Sequence, residues 1–355
     1  MRKIHYILIG LLPLQIIALR FLKTQSKWLE TYYSQGIYPL IFKSHRFFFD
    51  LIPFSIGDIL YALALFYLIK GILIIFKKQR PKISVLILNI IAISSLLLLI
   101  FNLNWGLNYY RTPLHKKLNY NLRYDQVQLE QTFDALIRAS NELHTRLNNN
   151  DTVAIHIPYS KKQIANKLEE EFDFDLEKFK PKPFIKNSLW SMLLSYMGYS
   201  GYLNPFTLES QANSEIPKLN YIITSMHEMA HQLGIASERE ANFIAFYTSI
   251  KHSDPFIQYA GYTFALRYCF SELYKADQEM AKRQIQRLKP GVLKNFQEHT
   301  QFWNRYQNPF EPFLKKGYDT YLKANGQKQG IQSYNAIVGL VVAYSQKESF
   351  DLNKK

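Results

Sequence analysis

Two histidines four residues apart, with a glutamate beside the first, have the types and spacing for chemistry: His227-Glu228-Met229-Ala230-His231. On a helix, residues i and i+4 lie one above the other, so both imidazoles share a face and can grip one metal ion. Glu228 then stands where it can reach a water on that ion and act as general base. A catalytic zinc site asks for three protein ligands and one open position. The third is expected a few residues on. Gly234 reads as the stop of the first helix, because glycine readily takes the left-handed conformation that helix ends favour. Ser237-Glu238-Arg239-Glu240 reads as a capping box, with Ser237 as N-cap and Glu240 reaching back to it. That leaves Glu238 for the metal, with Glu240 as the rival ligand. Asn242, four residues beyond Glu238 on the same face, is placed to orient a ligand from behind. The expected site is thus His227, His231 and Glu238 around one zinc ion, with Glu228 as catalytic base and Asn242 in support.

The pattern His227-Glu228-x-x-His231 followed by Glu238-x-Glu240-Ala241-Asn242 resembles the gluzincin metallopeptidases. The E-x-x-A-D/N element is similar to that of membrane-bound zinc endopeptidases of the CAAX-processing and heat-shock type. It also resembles that of the regulatory peptidases that cleave phage and radiation-response repressors. The resemblance implies that the two histidines and the first Glu of that element bind zinc, and that the Glu inside HExxH is the base. The gap from His231 to Glu238 is much shorter than in those families, so the connection must be a tight turn. It resembles the metzincin layout HExxHxxGxxH, but Ser237 fills the slot of the third histidine. As a whole the chain looks like an uncharacterised bacterial membrane family known as a domain of unknown function.

The elements that must position these residues follow from hydropathy and charge. Three apolar stretches, about 4–22, 53–76 and 84–103, are long enough to cross a hydrocarbon layer that takes about 20 helical residues. Residues 1–105 carry twelve Lys/Arg against three Asp/Glu, and residues 106–355 carry thirty-one against twenty-five. Most of the excess of +15 therefore flanks membrane segments, as expected for anchoring at a bilayer, and no basic helix or zinc-finger spacing supports a nucleic-acid role. The basic run from Lys77 to Lys82 sits between two spans, and the positive-inside rule puts it in the cytoplasm. Everything after residue 104 is then expected outside the cytoplasm, on the far face of a bacterial inner membrane. Arg2 and Lys3 precede the first span, which is read as a retained anchor because no small-x-small cleavage site follows it. The polar, aromatic-rich connection 23–50 is expected to lie on the bilayer surface. A single cysteine, Cys269, excludes an intramolecular disulfide and a Cys-rich metal site.

The remainder is expected to be a mainly α (α+β), zincin-like domain over 106–355, following a three-helix membrane module over 1–105. Gln126–Leu147 is amphipathic, Ser160 with Gln163 makes a capping box, and Asp254-Pro255 opens a helix to about Lys275. Tyr199–Ala212, with Thr, Gly, aromatics and Pro205, suits an exposed edge strand that would pair with a substrate backbone, the alternative being a surface loop. Tyr334, His252 and Arg267 are open candidates for stabilising an oxyanion. The leading expectation is a membrane-anchored zinc hydrolase acting on a peptide or protein. The alternative is a silent metallopeptidase fold serving as an envelope scaffold or binding module.

Overall fold

The computed structural model describes residues 3–76, 82–174, 182–348, 350 and 352. Of the basic run Lys77–Lys82, residues 77–81 lie outside the described residues, so the topology expectation drawn from it concerns sequence alone. The chain is mainly helical with one small sheet, and it divides into two compact units: Met1–Thr112 with Leu203–Glu209, and Pro113–Tyr202 with Ser210–Lys355.

Among the described residues of the first unit, three helices are long and apolar enough to cross a membrane: Lys3–Leu22, Ile56–Ile75 and Ile83–Asn104. Most of their large apolar side chains point outward, which suits a lipid environment and no aqueous one. Lys3–Leu22 and Ile83–Asn104 are joined by a buried polar link, in which Gln15 Nε2 donates to the Ser95 carbonyl (3.1 Å) and hydroxyl (2.9 Å). The second span starts at Ile56 rather than Pro53 because Ser55 caps it, its hydroxyl accepting from the Asp58 N–H at 2.9 Å. The 23–50 connection is not a loop. It is helical from Ser26 to Phe49, with a π-helical stretch at Leu29–Ile37 between two α-helical pieces. Glu30 on that stretch holds Arg111 by two bonds of 2.8 and 3.0 Å, both side chains buried.

The segment Leu203–Glu209 is a self-bonded turn within this unit. Asn204 Oδ1 accepts from the Phe206 and Thr207 N–H groups, and Leu208 adopts a left-handed φ of 54°. The buried Glu209 carboxylate accepts from Ile56 N (3.2 Å) and Gly57 N (2.6 Å), the open donors at a helix N-terminus where negative charge is favoured. Asn104 Nδ2 donates to the Phe206 carbonyl at 3.4 Å. The start of the second apolar helix and the end of the third therefore meet the same turn, and those two helices run in opposite directions.

The second unit is built on Gln126–Leu147 packed against Pro255–Ala276, with Ile337–Lys347 completing the layer. Phe133, Leu136, Ile137 and Leu143 recur at helical spacing and are fully buried, each stabilising the fold by about 1.5–3 kcal/mol. The expected capping box of Ser160 with Gln163 is present, and a second one, Asp125 with Gln128, opens Gln126–Leu147. Asp254 caps Pro255–Ala276 through the Phe256 N–H at 2.9 Å. The HExxH helix, Lys218–Gln232, lies against Glu238–Lys251 and is buried on all sides from Tyr221 onward.

Behind it sits the sheet of β1 (Ile185–Asn187), β2 (Gly201–Leu203) and β3 (Ser210–Ala212), in the order β1-β3-β2. β1 and β3 are parallel, with Ile185 opposite Ser210 and Asn187 opposite Ala212. The single edge strand expected over Tyr199–Ala212 is thus two short strands separated by the Asn204–Glu209 turn. Of these two, β2 is at an edge of the sheet, with β1 at the other, and β3 is central and buried.

Candidate metal centre

His227 and His231 stand one helical turn apart, their rings 4.6 Å between centroids and nearly perpendicular. The helix stops at Gly234, whose φ of 75° is the left-handed geometry that only glycine takes without strain. The chain reverses over Leu233–Ser237 and starts the next helix at Glu238. Glu238 is 3% exposed, and its Oε2 lies 3.1 Å from His227 Nε2 and 3.5 Å from His231 Nε2. One ligand atom from each of the three side chains falls within 4.8 Å of the others.

The outer ring nitrogens are occupied. His227 Nδ1 is 2.7 Å from Asn242 Oδ1, and His231 Nδ1 is 2.5 Å from the Ile235 carbonyl. Both partners are acceptors, so both Nδ1 atoms carry the proton and both Nε2 lone pairs face Glu238. Two imidazole lone pairs and a carboxylate converging on one buried point need a proton or a cation between them. Without a cation, His231 takes the proton. Burial opposes its charged form, but Glu238, then Glu228 and the Ile235 carbonyl, outweigh burial and raise its pKa to about 9. Burial likewise works against the Glu238 carboxylate, yet the two histidines hold it well below the usual carboxylate range. The donor set therefore fits a zinc ion: two neutral nitrogens, one anionic oxygen, and ring orientations fixed from behind.

Glu228 is buried, and its pKa is raised to about 7 by burial, with Glu238 adding to the rise and the two histidines opposing it. Among the described residues its Oε2 has no hydrogen-bond partner, while its backbone carbonyl accepts from Ser210 Oγ of β3 at 2.7 Å. A Cβ at Gly201 of β2 would lie 3.0 Å from Glu228 Cγ and 2.7 Å from Thr224 Cγ2, so β2 comes this close only as glycine.

The capping box expected at Ser237 does not form. Ser237 is the N-cap residue, but its side chain makes no cap hydrogen bond. Glu240 instead accepts from the Leu114 N–H at 2.8 Å and lies 3.9 Å from Arg239. Of the two rival ligands it is Glu238 that faces the imidazoles. The N–H of Glu238, at the start of the helix, is met by Gln327 Oε1 at 3.3 Å, and Gln327 Nε2 donates to the Ala236 carbonyl at 3.1 Å.

Two tyrosines complete the surroundings. Tyr318 OH donates to Glu238 Oε1 at 2.9 Å and lies 3.3 Å from Tyr334 OH. Tyr334 stacks on His227, with 5.9 Å between ring centroids and 9° between planes, and its carbonyl accepts from Asn242 Nδ2 at 3.3 Å. Burial and the Glu238 charge push both phenols well above their ordinary pKa, so both carry their protons at neutral pH. Tyr334 was one of three open candidates; Tyr318 has no sequence motif that marks it. Of the other two, His252 bonds the Lys167 carbonyl and the Asp254 N–H, and Arg267 lies beside Tyr268. Among the described residues neither has a hydrogen bond or ion pair to the three converging side chains.

No curated protein and no solved structure matches the chain. A family model does, over residues 33–342, a stretch that takes in the end of the π-helical segment, the second and third apolar helices, and the whole of the histidine–glutamate cluster. The chain belongs to the family described as "Protein of unknown function (DUF3810)".

Proposed function

We propose that this protein is a membrane-anchored zinc-dependent hydrolase of gluzincin type, with a peptide or protein as substrate. The observation that carries the reading is the convergence of His227 Nε2, His231 Nε2 and Glu238 Oε2 on one buried point, with both Nδ1 atoms tied down behind. A zinc ion held there would supply Lewis acidity, polarising a carbonyl and making water nucleophilic near neutral pH.

The chain's own residues supply the rest. Glu228, whose carboxyl titrates near neutrality, accepts the proton of the attacking water and passes it to the leaving amine. Its unpartnered Oε2 is the atom for that transfer. Tyr334 and Tyr318 carry phenolic protons beside the cluster and can donate to an oxyanion. The edge strand β2, pressed against Glu228 at Gly201, offers backbone donors and acceptors along which an extended peptide can pair. In this reading the hydrolase faces the extracytoplasmic side of a bacterial inner membrane.

The test is hydrolysis of a peptide library by the full chain in lipid nanodiscs, with and without chelator, beside Glu228→Gln. Chelator-sensitive cleavage that falls about 10²–10⁴-fold in Glu228→Gln, with zinc content unchanged, is the expected result. Full activity in Glu228→Gln removes the mechanism. A zinc-loaded wild type that cleaves nothing favours the scaffold alternative.

A further inference from the structure

In the second unit, large exposed apolar side chains collect on two neighbouring pieces. One is the helix Ser191–Met197 with the two residues before it, and the other is the start of the helix Glu311–Ala324. Leu189, Trp190, Met192 and Leu193 on the first and Phe310 and Phe313 on the second are all exposed, Met192 at 62% and Phe313 at 75%. The two pieces form one surface. Tyr196 meets Tyr306 ring edge to face at 5.1 Å, Asn308 Nδ2 donates to the Tyr196 carbonyl at 2.6 Å, and Tyr199 OH reaches the Leu314 carbonyl at 3.4 Å. A water-facing surface of this kind is unusual for a soluble domain and marks an interaction site.

We infer that this apolar surface docks into the interfacial layer of the lipid bilayer. Three features select lipid as the occupant. The chain carries three candidate spans, so a bilayer is its constant neighbour, and five residues separate Met197 from Leu203, where the chain enters the unit holding those spans. Trp, Tyr, Phe, Leu and Met together are the composition that partitions between headgroups and acyl chains. The net charge beside the patch is basic: 189–199 contains no charged residue, and 305–316 contains Arg305, Lys315 and Lys316 against Glu311, which pairs with Lys315. Lysine and arginine at the rim of an apolar patch suit anionic headgroups. The patch also adjoins the candidate metal centre, since Tyr199 packs on Tyr318 at 5.6 Å between centroids and Tyr318 bonds Glu238. Docking therefore brings the rim of the site to the membrane surface.

The one native cysteine is buried, so introduced cysteines can be labelled alone. Leu193→Cys, Met192→Cys and Phe313→Cys, with Val127→Cys as an exposed site elsewhere, would each carry an environment-sensitive fluorophore in the full chain. The chains are reconstituted in phosphatidylcholine–phosphatidylglycerol vesicles with a nitroxide near the top of the acyl chain. Probes at 192, 193 and 313 are expected to be quenched by the nitroxide lipid at least twofold more than the probe at 127. Equal quenching at all four positions overturns the inference. So does a blue shift at 192, 193 and 313 that rises with protein-to-lipid ratio and is insensitive to the nitroxide, which would assign the surface to a second copy of the chain.

Discussion

At the scale of the residue, the cluster works through what holds each imidazole from behind. Asn242 fixes the His227 tautomer through its Oδ1, so Asn242→Ala should weaken zinc binding about 10–100-fold, read by competition with a chromophoric chelator. Unchanged affinity would reduce Asn242 to a packing residue. The pH dependence has a definite sign. His231 is raised to about 9 by its carboxylate neighbours, so in chelator-treated protein its ion pair with Glu238 contributes stability that is fully present below the unfolded value of about 6.5 and is lost as pH rises through 9. Zinc must displace that proton, so zinc affinity should rise about tenfold per pH unit between 7 and 9 and level off above. A flat profile over that range would show that His231 does not carry the proton. The His227–His231 phase was legible because it follows from helix geometry within one turn. Glu238 was singled out through a capping box that does not form, although its carboxylate does face the two imidazoles. Tyr318 was not, because its bond to Glu238 spans 80 residues and a lone tyrosine carries no local pattern.

At the scale of the element, the turn between the two helices sets the ligand geometry. Gly234→Ala forces a β-carbon into the left-handed region at a cost of about 1–2 kcal/mol, and the same strain should loosen the Ile235 carbonyl from His231. A melting shift accompanied by weaker zinc binding is expected. Ser237→Ala should leave stability almost unchanged because its hydroxyl caps nothing, whereas Asp125→Ala should cost about 1 kcal/mol as a working N-cap is lost. Equal losses in thermal denaturation would contradict this contrast. It also shows where sequence reasoning fails. Ser-x-x-Glu describes a capping box locally, but Glu240 has a better use in the Leu114 N–H, 126 residues away. The split of the expected edge strand has the same origin: Glu209, which ends the turn between β2 and β3, is drawn to the Ile56 and Gly57 N–H groups some 150 residues upstream.

At the scale of the whole molecule, hydropathy made the three apolar helices readable, since about 20 residues without water-seeking side chains admit few alternatives. Their connections were harder, because residues 23–50 look polar and aromatic yet form helix around the buried Glu30–Arg111 pair. Removing one partner of such a pair leaves a buried charge, so Glu30→Ala should destabilise the first unit by about 3–5 kcal/mol in denaturant titration. Whether His227, His231 and Glu238 hold one cation, as proposed, is read by elemental analysis of the purified full chain beside Glu238→Ala and His231→Ala. Close to one zinc per chain is expected in the wild type and near none in either variant, with both variants still folded by circular dichroism. A folded wild type that takes up no divalent metal at neutral pH, or variants that keep the full zinc content, would contradict it.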